Sequence, residues 1–123
     1  MTKVLVVDDG EDILEYLRMV LTDKGFNVVT AKDGEDALLR YKESEPNIIV
    51  SDYKMPKMNG IELYLKITDE SADFPFVFLT GYGGELRGVD ENYLVMDKPP
   101  EIDSLVDAIH KVIEGIPKRR GAN

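Results

Sequence analysis

The chain has 123 residues, enough for one domain with a real hydrophobic core. It has no cysteine, which excludes disulfides and thiolate metal sites, and a single histidine, which excludes a polyhistidine metal centre. The 24 acidic against 15 basic side chains give a net charge of −9, a balance that disfavours nucleic acid as a direct partner. No apolar run approaches the length of a membrane span or a secretory core, so the expected location is the cytoplasm.

Strand and helix patterns alternate from the start. Residues 3–8 read as a strand whose apolar run, Val4 to Val7, ends in Asp8-Asp9. Ile13, Leu14, Leu17, Val20 and Leu21 then recur at helical spacing over 11–24, and Gly25 supplies a stop. Phe26 to Thr30 predicts a second strand. Asp33 is placed to cap a helix running to about Glu43, with Ala37, Leu38 and Tyr41 inward and Pro46 beyond its end. Residues 47–52 form a third apolar run, closed by Asp52. Asn59 or Gly60 starts a third helix, for which Ile61, Leu65 and Tyr64 are the expected inward residues. Phe74 to Thr80 is strongly β-prone. Gly81, Gly83, Gly84 and Gly88 weaken any helix in 81–92, so a fourth helix there is expected to be short or irregular. Residues 93–98 read as a fifth strand ending in Asp97-Lys98, with Pro99 behind. The last helix, 101–114, carries Ile102, Leu105, Val106, Ile109 and Ile113 on one side. The basic residues Lys118 to Arg120 fall in a segment, 117–123, expected to be a flexible tail or the start of a linker.

Continuous apolar strands alternating with helices predict an α/β domain over 1–116, built on a parallel sheet covered on both faces. Ligands of such sheets bind at the carboxyl ends of the strands. The pair Asp8-Asp9, and Asp52, Thr80 and Lys98, each close a different run and so converge there. Three carboxylates suit a small hard cation such as Mg²⁺, which is held by few carboxylates, phosphate oxygens and water. Asp52 is the candidate nucleophile toward phosphorus, Lys98 a point charge for a phosphate oxygen, and Thr80 a hydroxyl donor. Each taken singly has a plainer reading: a loop carboxylate, a surface lysine, a strand threonine with a solvated hydroxyl.

The joint pattern of Val6-Val7-Asp8-Asp9, Ser51-Asp52-Tyr53-Lys54-Met55-Pro56, Asn59-Gly60, Leu79-Thr80-Gly81 and Asp97-Lys98-Pro99 closely resembles the receiver domain of two-component response regulators. The resemblance covers residues 2–115. It implies a doubly wound, flavodoxin-like sheet of order 2-1-3-4-5 and a signalling domain rather than an enzyme. Asp52 would take a phosphoryl group from a sensor histidine kinase or a histidine phosphotransfer protein. It implies Mg²⁺ (with Mn²⁺ able to substitute) bound by Asp9, Asp52 and the backbone carbonyl of Lys54, and by Asp8 through water. Thr80 and Lys98 would grip the phosphoryl group, and the Lys98–Pro99 peptide would be cis. It further implies a two-state shift that signals to a downstream protein or a fused output domain, and it allows a homodimer.

The chain departs from the family pattern at several points. The Thr80–Lys98 segment is short and glycine-rich. Val95 stands where relatives commonly carry an aromatic ring that swings on activation. Lys54 and Tyr82 hold positions that in the family tune the lifetime of the phosphate, and Tyr82 is expected to shield it. Gly10 follows the acidic pair where relatives often have an acidic or polar residue, and Glu11 is placed to compensate. A receiver-like module that binds without phosphate is the alternative. An aspartyl phosphatase is disfavoured because Lys54 stands where its second carboxylate belongs, and a flavodoxin because Asp8-Asp9-Gly10 would repel a flavin phosphate.

Overall fold

A computed structural model of the chain describes residues 1–81 and 93–115. Its elements in chain order are β1 (Lys3–Val7), α1 (Glu11–Asp23), β2 (Asn27–Ala31), α2 (Gly34–Ser44), β3 (Ile48–Asp52), α3 (Gly60–Glu70), β4 (Phe76–Thr80), β5 (Tyr93–Asp97) and α4 (Ile102–Glu114). All pairings are parallel and the sheet order is β2-β1-β3-β4-β5, the order the resemblance implies. The anticipated short helix within 81–92, Tyr82 and the 117–123 tail lie outside the described residues. Among those described, no helix is long and apolar enough to cross a membrane.

The two faces of the sheet bury different side chains. Val4, Val6, Ile48, Val50, Val77 and Leu79 pack against Leu17 and Leu21 of α1 and Leu105, Ala108, Ile109 and Val112 of α4. Leu5, Val7, Ile49, Phe76 and Phe78 pack against Ala37 of α2 and Leu63, Tyr64 and Ile67 of α3. Successive strand residues point to opposite faces, so the unbroken apolar runs of β1, β3 and β4 supply both layers at once.

Local chemistry sets the boundaries. Asp33 caps α2 by accepting from the Asp36 amide at 2.8 Å, as its position predicts. Gly25 follows α1 at φ +98°, where a side chain would be strained. β4 begins at Phe76 rather than Phe74. Pro75 has no N–H to give the ladder, although its carbonyl still accepts from Ile49 at 3.2 Å. β2 is displaced by one residue to Asn27–Ala31, and Phe26 instead turns into the α1–α4 layer, its ring 5.7 Å from that of His110.

Two helix faces differ from expectation. Leu65 is 54% exposed, whereas Tyr64 is buried and Ile61 half-buried against the core as expected; the buried stripe of α3 runs Leu63, Tyr64 and Ile67. Ile113 is on the rim of α4, whose buried stripe runs Leu105, Ala108, Ile109, Val112 at i, i+3, i+4 and i+7.

Candidate functional site

The strand ends carry the charges. Asp8 follows β1, its amide held by the carbonyl of Ala31 at 3.1 Å. One of its carboxylate oxygens accepts from the amide of Gly10 at 2.8 Å, and the other lies 2.7 Å from the ammonium of Lys98. The same ammonium donates to Asp52 Oδ2 at 3.0 Å. Lys98 therefore bridges two carboxylates that are almost wholly buried, at 2% exposure for Asp8 and 7% for Asp52. Asp9 is exposed, and one carboxylate oxygen from each of Asp8, Asp9 and Asp52 lies within 4.8 Å of the others.

That spacing is a fit test for a cation. Three convergent carboxylate oxygens of mixed burial supply hard oxygen donors on one side and leave the Asp9 side open to water. An ion of the size and hardness of Mg²⁺ matches this donor set.

Burial pushes the Asp52 carboxyl above the ordinary aspartate range; the hydrogen bond from Lys98 pulls it down, and the charge of Asp8 adds to the upward push. Burial pulls down on Lys98, but hydrogen bonds to Asp8 and Asp52 and their charges outweigh it, and the ammonium is held above its usual value. The site thus keeps its lysine charged and its central carboxylate uneasy.

Thr80 ends β4, is 1% exposed, and stands opposite Asp97 in the β4–β5 register, while Asp52 pairs with Leu79. Its hydroxyl is buried, contrary to the solvated hydroxyl of the plainer reading. Lys54 is exposed in the β3–α3 loop, where it lines an open hollow of about 420 Å³ with Asp9, Tyr53, Met55, Pro56 and Asn59. The Lys98–Pro99 peptide is cis, as expected. Val95 is 38% exposed on β5, whereas Tyr93, half-buried, meets the rings of Phe78 and Tyr64 edge-on at 5.1 and 5.3 Å.

Several residues support the site in roles the sequence did not assign them. Ser51 donates its buried hydroxyl to the Asp52 carbonyl at 2.9 Å. The amide of Gly60 donates to the carbonyl of Tyr53 at 2.7 Å, and a Cβ on Gly60 would sit 2.6 Å from the Asp52 carbonyl oxygen. Helix α3 can begin against the peptide of Asp52 only because residue 60 has no side chain. Asn59 and Glu62 close a reciprocal capping box over that start, at 2.8 and 2.9 Å. The Asn-x-x-Glu spacing was legible; the contact of Gly60 with Asp52 was not, because it joins two elements.

The model of the response regulator receiver domain family matches residues 4–110. The alkaline phosphatase synthesis transcriptional regulatory protein PhoP of Bacillus subtilis is 35% identical over 114 residues, covering 87% of this chain and 48% of that protein. The C4-dicarboxylate transport transcriptional regulatory protein DctD of Pseudomonas aeruginosa is 30% identical over 92% of this chain and 25% of its own length. The chain thus spans about half or less of these relatives. Among solved structures, a response regulator receiver domain protein from Clostridium thermocellum superposes with a TM-score of 0.85 at 25% identity, over 93% of this chain and 95% of that one. The response regulator TrrA of Thermotoga maritima, in complex with Mg²⁺–BeF, gives 0.78 at 28% identity over 91% and 99%.

Proposed function

The chain belongs to the response regulator receiver domain family, and from that premise we propose that Asp52 is the acceptor of a phosphoryl group delivered by the histidine of a sensor kinase or phosphotransfer protein. The observation that supports this reading most directly is the placement of Asp52. It is buried at the end of β3, 3.0 Å from Lys98, with oxygens of Asp8 and Asp9 close by.

In the transfer, a carboxylate oxygen of Asp52 attacks phosphorus, the bond from phosphorus to the imidazole nitrogen breaks, and the electron pair leaves with that nitrogen. Nothing is oxidised or reduced. Lys98 changes partners: its ammonium, which now spans Asp8 and Asp52, is in reach of a phosphoryl oxygen on Asp52 while still paired with Asp8. Thr80 supplies the hydroxyl for a second oxygen. Asp9, Asp52 and the Lys54 carbonyl would hold Mg²⁺, with Asp8 acting through water. When bound, the ion neutralises charge between carboxylate and phosphoryl group. Conversion of the Asp52 carboxylate, already at −1, to an acyl phosphate of roughly −1.5 to −2 adds at most about one negative charge together with three acceptor oxygens, enough to bias a bistable element toward a downstream partner or a fused output domain. The chain acts as a cytoplasmic signalling domain rather than a turnover enzyme.

The test is incubation with acetyl phosphate with and without Mg²⁺, read by intact mass, with Asp52→Asn as control. A Mg²⁺-dependent adduct that vanishes in the variant is the expected result. Absence of both an adduct and Mg²⁺ binding would instead support the phosphate-independent binding module, the reading that the missing ring at Val95 favours.

A further inference from the structure

Helix α2 contributes no residue to the acidic site, yet its first residue touches the loop that lines it. A Cβ built on Gly34 would lie 2.7 Å from Cβ, 2.8 Å from Sδ and 2.9 Å from Cγ of Met58. Gly34 is buried and carries none of the positive φ angles that demand glycine. Alanine is also the better helix former. Neither backbone conformation nor propensity therefore asks for glycine at this position; the space taken by Met58 does.

Met58 is presented to α2 by a tight turn. Its amide donates to the carbonyl of Pro56 at 2.7 Å, and Lys57 between them is at φ +71°, left-handed for a residue with a side chain. Two residues further on, Gly60 is pressed onto the Asp52 carbonyl and bonded to that of Tyr53. The β3–α3 loop is thus closed on the phosphoacceptor's own peptide by Gly60 and held two residues earlier, at Met58, by α2. Lys54 lies in the stretch between Asp52 and Met58.

We propose that Gly34 is a positioning residue for the phosphoacceptor site: by leaving room for Met58 it seats the β3–α3 loop, and through that loop it sets where the Lys54 carbonyl and the Asp52 peptide lie. The inference rests on the function proposed above and adds a control point on a helix outside the chemistry. Crowding at Gly34 displaces Met58 at its Cβ, an atom fixed to the backbone, so the displacement passes along the loop. Small misplacements of this kind are costly where ligands must converge.

The test compares wild type with Gly34→Ala, Met58→Ala, the double variant and Leu39→Ala, an exposed change on the same helix. Circular dichroism first establishes folding. In the metal-free proteins, amide NMR shifts are expected to move in Gly34→Ala across 53–59 and at Asp52. Mg²⁺ affinity by titration calorimetry is expected to fall about tenfold, the lower end of the cost of disturbing groups that orient metal ligands. The loss caused by Gly34→Ala shrinks only in part in the Met58→Ala background, which lacks Cγ and Sδ but keeps the Cβ at 2.7 Å, and Leu39→Ala changes nothing.

A folded Gly34→Ala whose shifts stop at α2 and Met58, with unchanged Mg²⁺ affinity, overturns the proposal. Should Gly34→Ala not fold, Met58→Ala carries the test: it is expected to weaken Mg²⁺ binding, and unchanged affinity overturns the idea. The two readings fail separately. Loop shifts that reach Asp52 in a chain whose wild type accepts no phosphoryl group would sink the function and leave the positioning role. Wild-type adduct formation matched in rate by Gly34→Ala would do the reverse.

Discussion

The α1–α4 face of the sheet is aliphatic and the α2–α3 face is aromatic, and each continues into a different part of the site. Counting along the strands in steps of two, Asp8, Asp52 and Lys98 follow Val4 and Val6, Ile48 and Val50, and Leu94 and Met96, all of the aliphatic layer. Thr80 follows Phe76 and Phe78, and Asp9 follows Leu5 and Val7, of the aromatic layer. The ion trio is thus in step with the side that α1 and α4 close. Thr80 and Asp9, together with the β3–α3 loop, belong to the side built from rings. Branched aliphatic chains fill space with little directional demand, whereas Tyr64 meets Phe76, Phe78 and Tyr93 edge-on at 5.0–5.9 Å, a geometry that fixes orientation. The aromatic layer is accordingly the one that transmits position.

The sharpest way to break this contrast is to cut one residue from each layer of β4. Phe78→Ala is expected to cost about 4 kcal/mol in chemical denaturation, and Leu79→Ala about 3 kcal/mol, as for other buried truncations. Only the first should also weaken Mg²⁺ binding, because the Phe78 ring supports Gly60 at the start of α3. Equal loss of Mg²⁺ affinity in both variants would erase the distinction. Lys98→Ala comes next. It leaves Asp8 and Asp52 buried without their shared cation. A destabilisation of about 2 kcal/mol is expected, below the cost of breaking a fully buried pair because Lys98 is partly exposed. Added Mg²⁺ should recover part of it in thermal melts.

Asp52→Asn acts in the opposite sense. The folded Asp52 pKa is raised, so the native state binds a proton more readily than the unfolded chain. Its ionised form is a penalty, present above the folded pKa and relieved as pH falls through it. The metal-free variant should be more stable than wild type at neutral pH, with the gap closing on acidification. A gap that widens toward low pH would contradict the burial of Asp52 as its dominant influence. The smallest effect is expected for the rings themselves: a double-mutant cycle between Tyr64 and Phe76, by denaturation of Tyr64→Leu, Phe76→Leu and both, should give a coupling of about 1 kcal/mol.

The strands and the meeting of Asp8, Asp9, Asp52 and Lys98 at one sheet edge were legible in the chain, because apolar runs that end in charge mark both strand direction and strand end; the sheet order came only through the family resemblance. Helix phase was less so. Leu65 and Ile113 are apolar but exposed, and the neighbouring residues of α3 and α4 pack equally well by periodicity alone. Least legible were Gly34 and Gly60, whose meaning lies in what a side chain would strike on another element. Ser51, too, reads as a strand residue until its hydroxyl is seen on the Asp52 carbonyl.

The Lys98–Pro99 step has a consequence beyond the site it serves. The sheet ends on one side in β5, a strand of five residues that runs out in Asp97, Lys98 and Pro99. Bare strand edges invite pairing with other chains, and natural proteins blunt them with short length, charge and proline. Lys98 turns its charge inward to Asp8 and Asp52, which leaves Pro99, with no N–H to offer an approaching strand, to end the pairing edge just past β5, so a substitution of Pro99 is expected to lengthen that edge as well as disturb the seat of Lys98.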